Sequence, residues 1–314
     1  MELLSAILPF FGAGLLGAVF SRFTGMNMSM CLLMIFLYMG AKPGELIVAM
    51  LLFNVFTYFT VYSQEHRMNM KTFVIFPGVK FLLPVFITVI LAAISPFFGI
   101  VFFVIVFLLE IFAKIYQGIP QKVRPTKGQL VQMCVIASVL VVIGAVIVEF
   151  VPAAYYYILA GIVILAFAAL MWFAGDRKKW NRSWDTILYG TTFLAGLTGI
   201  DATDWLTAMR RNEQSVLSRC YPIVVNSAMV VGLIAAYLIF RYFSLGALFS
   251  TIGAAVGIRF FGVETHSTKG KFSYLTLGIA VLAALVFMII QPQPVGFPEL
   301  PMSDEQPHFQ FFNF

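Results

Sequence analysis

The stretch "LAGLTGIDATDW", residues 194–205, sets two aspartates, Asp201 and Asp204, in a chain otherwise poor in charge. A related stretch, "AVFSRFTGMNMSM", occupies residues 18–30. Each carries Thr-Gly followed by a short polar cluster, and Thr24-Gly25 and Thr198-Gly199 stand 198 − 24 = 174 positions apart. Of the 314 residues, 61% are hydrophobic and only 11% charged. So few charges cannot cover the surface of a water-soluble domain of this length, and a bilayer is the expected solvent. In a bilayer the backbone crosses as helix, and an interruption survives only where protein or a cavity satisfies the freed backbone groups. The paired breaks therefore predict two related units, each opening with an interrupted helix.

Working outward, apolar runs occupy residues 3–21, 28–40, 46–63, 73–94, 97–115, 130–151, 153–174, 186–200, 220–240, 245–263 and 272–290. A helix needs about 20 apolar residues to cross the hydrocarbon core. The runs at 28–40 and 186–200 fall short, and each adjoins a Thr-Gly cluster. The first run begins almost at Met1 with Glu2 as its only early charge. It lacks the basic start and small-residue cleavage site of a signal peptide, so it reads as a retained membrane segment.

Basic loops set the orientation. "SQEHRMNMK" (63–71), "PQKVRPTK" (120–127) and "DRKKWNR" (176–182) are expected in the cytoplasm, with two spans between each and the next. Trp172, Trp180 and Trp184 flank the third loop as interfacial anchors. The first unit then starts outside. The second starts inside and returns at "MRRNEQSVLSR" (209–219), whose basic residues agree with a cytoplasmic position. The expected fold is an all-α polytopic membrane protein with two inverted-topology repeats, each opening with a broken or re-entrant helix hairpin, plus an inserted central helical hairpin. Its parts are 1–117 (first repeat), 118–182 (inserted hairpin with cytoplasmic loops), 183–290 (second repeat) and 291–314, an extended proline-rich tail on the outer side.

The register pairs Asn27 with Asp201, Ser29 with Thr203 and Met30 with Asp204. After a two-residue slip, "GELIVAMLLFN" ending at Asn54 matches "VLSRCYPIVVN" ending at Asn226. Thr24, Gly25, Asn27, Ser29, Thr198, Gly199 and Thr203 are candidate substrate contacts, since half-helix starts offer N–H groups and hydroxyls to an anion. Asn54 and Asn226 either line the same place or bond between helices. Lys80, in "FPGVKFLLP", attracts an anion on one reading and snorkels to the cytoplasmic face on the other. For Asp201 and Asp204 two readings also stand: binding a coupling proton or Na⁺, or capping the short helix "DWLTAMRR".

Other chemistry is poorly represented. Cys31, Cys134 and Cys220 sit singly in apolar runs, and His66, His266 and His308 lie in loops or the tail, so neither a metal nor another cofactor is expected. The net charge of +6 is explained by the loops, and nucleic acid is not implied. No phosphate-binding Gly-x-x-x-x-Gly-Lys-Ser/Thr motif occurs, so the chain is not expected to hydrolyse ATP.

The order "GAGLLGAVFSRFTGMNMSM…MGAKPGELIVAMLLFNVFTYF", and more closely "GTTFLAGLTGIDATDW…VLSRCYPIVVNSAMVVGLIAAY…TIGAAVGIRFFG", resembles the toluene-sulfonate uptake permease family, also called the TauE/SafE sulfite exporter family. The resemblance covers most of the chain apart from the central hairpin and the tail. It implies a permease of the inner or plasma membrane for a small anion such as sulfite, a sulfonate or another organosulfur or organic acid, coupled to H⁺ or Na⁺. Family members usually carry a glycine triplet after each turn; here "GMNMS" and "GIDAT" stand instead, and Asn27, Asp201 and Asp204 put side chains there. Besides the lipid bilayer and the anion, a homo-oligomeric partner remains open. The chain is not expected to be an enzyme. The alternatives are a non-transporting assembly or sensor protein, and a membrane-embedded enzyme using Asp201 and Asp204 as an acid–base pair.

Overall fold

The structure is a computed structural model and describes residues 2–24, 26–65, 79–119, 121, 124–174, 184–201, 220–243, 245–261 and 274–290. Among them it is all-helical. The helices are α1 (Glu2–Thr24), α2 (Met28–Tyr38), α3 (Pro43–Glu65), α4 (Val79–Ile94), α5 (Pro96–Gln117), α6 (Lys127–Phe150), α7 (Ala153–Ala174), α8 (Trp184–Thr198), α9 (Tyr221–Phe240), α10 (Leu245–Phe261) and α11 (Tyr274–Ile290). Three of these, α5, α6 and α9, are long and apolar enough to cross a membrane, with 22, 24 and 20 residues. By contrast α2 and α8 have 11 and 15 residues. At 1.5 Å per residue they reach only about 16 and 22 Å, short of a hydrocarbon core of about 30 Å.

Local chemistry explains where the helices begin and end. Pro43 opens α3, and the Lys42 backbone N–H donates to Glu45 Oε2 at 3.2 Å, so a first-turn carboxylate takes up an unpaired donor. Between α5 and α6, Arg124 donates to the carbonyls of Gln117 and Ile119, both at 2.8 Å, and stacks over the Tyr116 ring. Thr126 then starts α6 through a reciprocal capping box with Gln129. The connection is held by its own side chains and fixes how α6 leaves α5.

The core lies around α3 and α9, which pack on each other. Residues 46–55 of α3 are buried without exception, so this helix is surrounded by protein through its middle. α10 packs on α1 and α3, while α6 packs on α8 and α9. Small residues let both of these pairs approach closely. A Cβ on Gly14 of α1 would strike the Ser250 carbonyl of α10, and one on Gly196 of α8 would strike the Val141 carbonyl of α6. α7 packs on α11 and also meets α8.

The segment expected as an insertion, 118–182, therefore supplies α6, which is central to the packing. The pair that sits apart is α4–α5: α4 packs on α5, and α5 carries the contacts to α3 and α9. Phe97 of α5 stacks on Tyr237 of α9 with centroids 3.7 Å apart, fixing that junction. The expected loops at 64–71 and 176–182 lie largely or wholly outside the described residues, as do the return at 209–219 and the tail.

Candidate functional site

The two breaks meet. Asn27 is the N-cap of α2: its Oδ1 accepts from the Ser29 backbone N–H at 2.8 Å and from Ser29 Oγ at 2.7 Å. That leaves Asn27 Nδ2 free to reach across 174 positions of sequence, where it donates to the Asp201 carbonyl. In return the Asp201 backbone N–H donates to Ser29 Oγ at 2.9 Å. Both backbone polar groups of Asp201 are thus satisfied by the first break, and the residue is buried.

The end of α8 is tied down from three other elements. Gly199 leaves the helix with φ +73°, and its N–H donates to the Ala195 carbonyl at 2.6 Å. An L side chain disfavours that conformation, and a Cβ here would also overlap Met50 Cβ of α3, so glycine is required twice over. Close approach in turn lets Asn54 of α3 donate Nδ2 to the Gly199 carbonyl at 2.6 Å. From α7, Tyr156 Oη donates to the Leu197 carbonyl at 3.1 Å. Carbonyls that a helix terminus leaves unpaired are thereby capped by side chains of α3, α7 and the α2 cap. Thr198 serves the break from within: its Oγ1 donates to the Leu194 carbonyl at 3.0 Å and accepts from the Ile200 N–H at 3.4 Å.

Electrostatically, the positive N-terminal end of α2 faces the negative C-terminal end of α8, an arrangement in which the opposed dipole ends stabilise each other. The place is buried: Ser29, Asn54, Thr198 and Asp201 are all buried polar residues.

Of the residues singled out from sequence, Asn27, Ser29, Asn54, Thr198, Gly199 and Asp201 converge. Asn226 of α9 is fully buried at 0% exposure, and neither its Nδ2 nor its Oδ1 has a hydrogen-bond partner among the described residues. Gly25, Thr203 and Asp204 lie outside the described residues. Thr24 ends α1 and Lys80 lies in the first turn of α4, but their side chains are outside the described part. Tyr156 had no place in the sequence-based site. Its only signal there is a polar-tipped residue within the apolar run "AAYYYILA" (153–160), and such a residue normally needs a partner when buried.

Among the described residues, no group of three or more His, Cys, Asp or Glu is placed to hold a metal ion. No family model, curated protein or solved structure matches the chain.

Proposed function

We propose that this chain is a multi-pass secondary permease of the inner or plasma membrane for a small anion. Sulfite, a sulfonate or a related organic acid is the substrate class that the family resemblance implies, with H⁺ or Na⁺ as coupling ion. The observation that carries the reading is the direct contact of the two breaks, Asn27 and Ser29 against Asp201. Broken helices whose ends meet inside a helical membrane protein are where transporters bind substrate and ion.

Inverted repeats belong to this reading, in a partition that helix packing supports better than an insertion at 118–182. If α1 and α8 correspond, and α3 and α9 likewise, then the counterpart of α10 must pack on α8 and α9. α6 does so, whereas α4 packs on α5. α7 and α11 then correspond and pack on each other, as α3 and α9 do. In this partition the added hairpin is α4–α5. Both partitions preserve parity, because each removes two spans.

In the proposed cycle the α2 start offers positive potential to the anion, and Asp201 and Asp204 take the coupling ion. Asn27, Ser29 and Thr198 all spend their polar groups on internal bonds in this conformer, which supports a second reading, a non-transporting assembly or sensor protein. Purified protein in proteoliposomes separates the two. Anion-jump currents on a solid-supported membrane, with sulfite, sulfate, taurine, an alkyl sulfonate and acetate as probes, should give current for at least one oxyanion. Silence for every probe under H⁺ and Na⁺ gradients would favour the second reading.

A further inference from the structure

Asn54 and Asn226 stand in one register of α3 and α9, helices that pack on each other, yet they are in opposite states. Asn54 Nδ2 holds the Gly199 carbonyl at the end of α8. Asn226 is more deeply buried and holds nothing among the described residues. An amide buried without a partner is strongly unfavourable, because it has surrendered its bonds to water. Solvent reaches neither of its polar atoms, so no bound molecule fills the role in this arrangement. Among the described residues, a partner for this amide is reached only by movement of the protein.

The packing shows the same asymmetry. α3 packs on α8, whereas no comparable packing joins α9 to α1 among the described residues.

We propose that Asn54 and Asn226 exchange a hydrogen bond between two conformers: Asn54 clamps the end of α8 in this one, and Asn226 clamps a carbonyl at the end of α1 in the other. The inference rests on the inverted-repeat reading above. The exchange breaks one amide–carbonyl bond and makes another, and the unpaired amide passes from Asn226 to Asn54. Two states related in this way are close in free energy, as a population that must shift between them requires. Asn226 is then a positioning residue that selects the conformer.

The test uses Asn54→Leu and Asn226→Leu, near-isosteric changes, in full-length protein reconstituted in proteoliposomes. Two readouts are taken: the unfolding midpoint, and the rate at which an impermeant maleimide added to either face labels Cys31. Cys31 is buried in α2, and for this assay Cys134 and Cys220 are replaced by alanine. Asn226→Leu removes the unpaired amide from this conformer, so its midpoint should rise by a few °C. Asn54→Leu strips Gly199 of its donor in this conformer but removes the unpaired amide from the other, so the population should pass to the other conformer and the midpoint should not fall. Labelling of Cys31 should shift toward opposite faces in the two variants, on the order of tenfold, the factor that corresponds to one amide hydrogen bond. A fall in midpoint in either variant, or shifts toward the same face, would overturn the exchange. The transport reading is separable: flux with same-face shifts sinks the exchange alone, and opposite shifts without flux for any probe sink transport alone.

Discussion

Replacing Gly199 by alanine perturbs the contact between the breaks at its tightest point. The residue sits at φ +73°, where an L residue costs roughly 1–2 kcal/mol more than glycine. The added methyl also overlaps Met50 Cβ, and overpacking a filled interior costs typically about 1–3 kcal/mol. Against this, the unfolded chain loses freedom when glycine becomes alanine, offsetting about 0.4–1 kcal/mol. The net expected loss is therefore roughly 1–5 kcal/mol. Denaturant unfolding in detergent micelles, followed by tryptophan fluorescence, reads it. A double-mutant cycle with Met50→Gly divides the loss: the steric part appears as coupling, and the backbone part persists in the Met50→Gly background. Wild-type stability in Gly199→Ala would refute the argument, since neither the left-handed turn nor the approach of α3 would then exist.

The remaining predictions probe packing, orientation and charge. Gly196→Ala should destabilise by about 1–3 kcal/mol through the α6–α8 crossing. Gly190→Ala, where a Cβ meets nothing within 4 Å, should be neutral or slightly stabilising by the same unfolding assay. In oriented vesicles, Lys122→Cys and Lys178→Cys should label from one and the same face, the cytoplasmic one; labelling from opposite faces would rule out the inverted arrangement. Lys80→Gln should weaken binding of the transported anion while Lys80→Arg retains part of it, measured by isothermal titration. Equal affinity in wild type and Lys80→Gln would reduce Lys80 to an interfacial anchor.

Element positions were legible because apolar runs and punctuation agree. The run at 186–200 became Trp184–Thr198, ended by the left-handed Gly199, and the run at 28–40 became Met28–Tyr38, started by the Asn27 cap. The pairing of the two breaks was likewise readable from Thr-Gly and the polar clusters, and the structure joins them through Asn27, Ser29 and Asp201. Helix partnership was not legible. Chains apolar on every face carry no amphipathic stripe to say which side meets which neighbour. What decides is a handful of small residues, Gly14, Gly144 and Gly196 among them, scattered in runs that look alike. Hence α6, expected in an insertion, packs at the centre, and Tyr156, one tyrosine of three in a row, turns out to cap α8.

The central claim, that the joined breaks couple an ion to anion movement, meets its most direct test in Asp201→Asn. The backbone bonds of Asp201 to Asn27 and Ser29 do not depend on the carboxylate, so the variant should fold and insert. An amide cannot take up a proton or balance a cation. In proteoliposomes, anion flux driven by an imposed H⁺ or Na⁺ gradient should be lost, or should persist without its dependence on that gradient. Wild-type flux with unchanged ion dependence in Asp201→Asn would contradict the account and leave this carboxylate a purely architectural group.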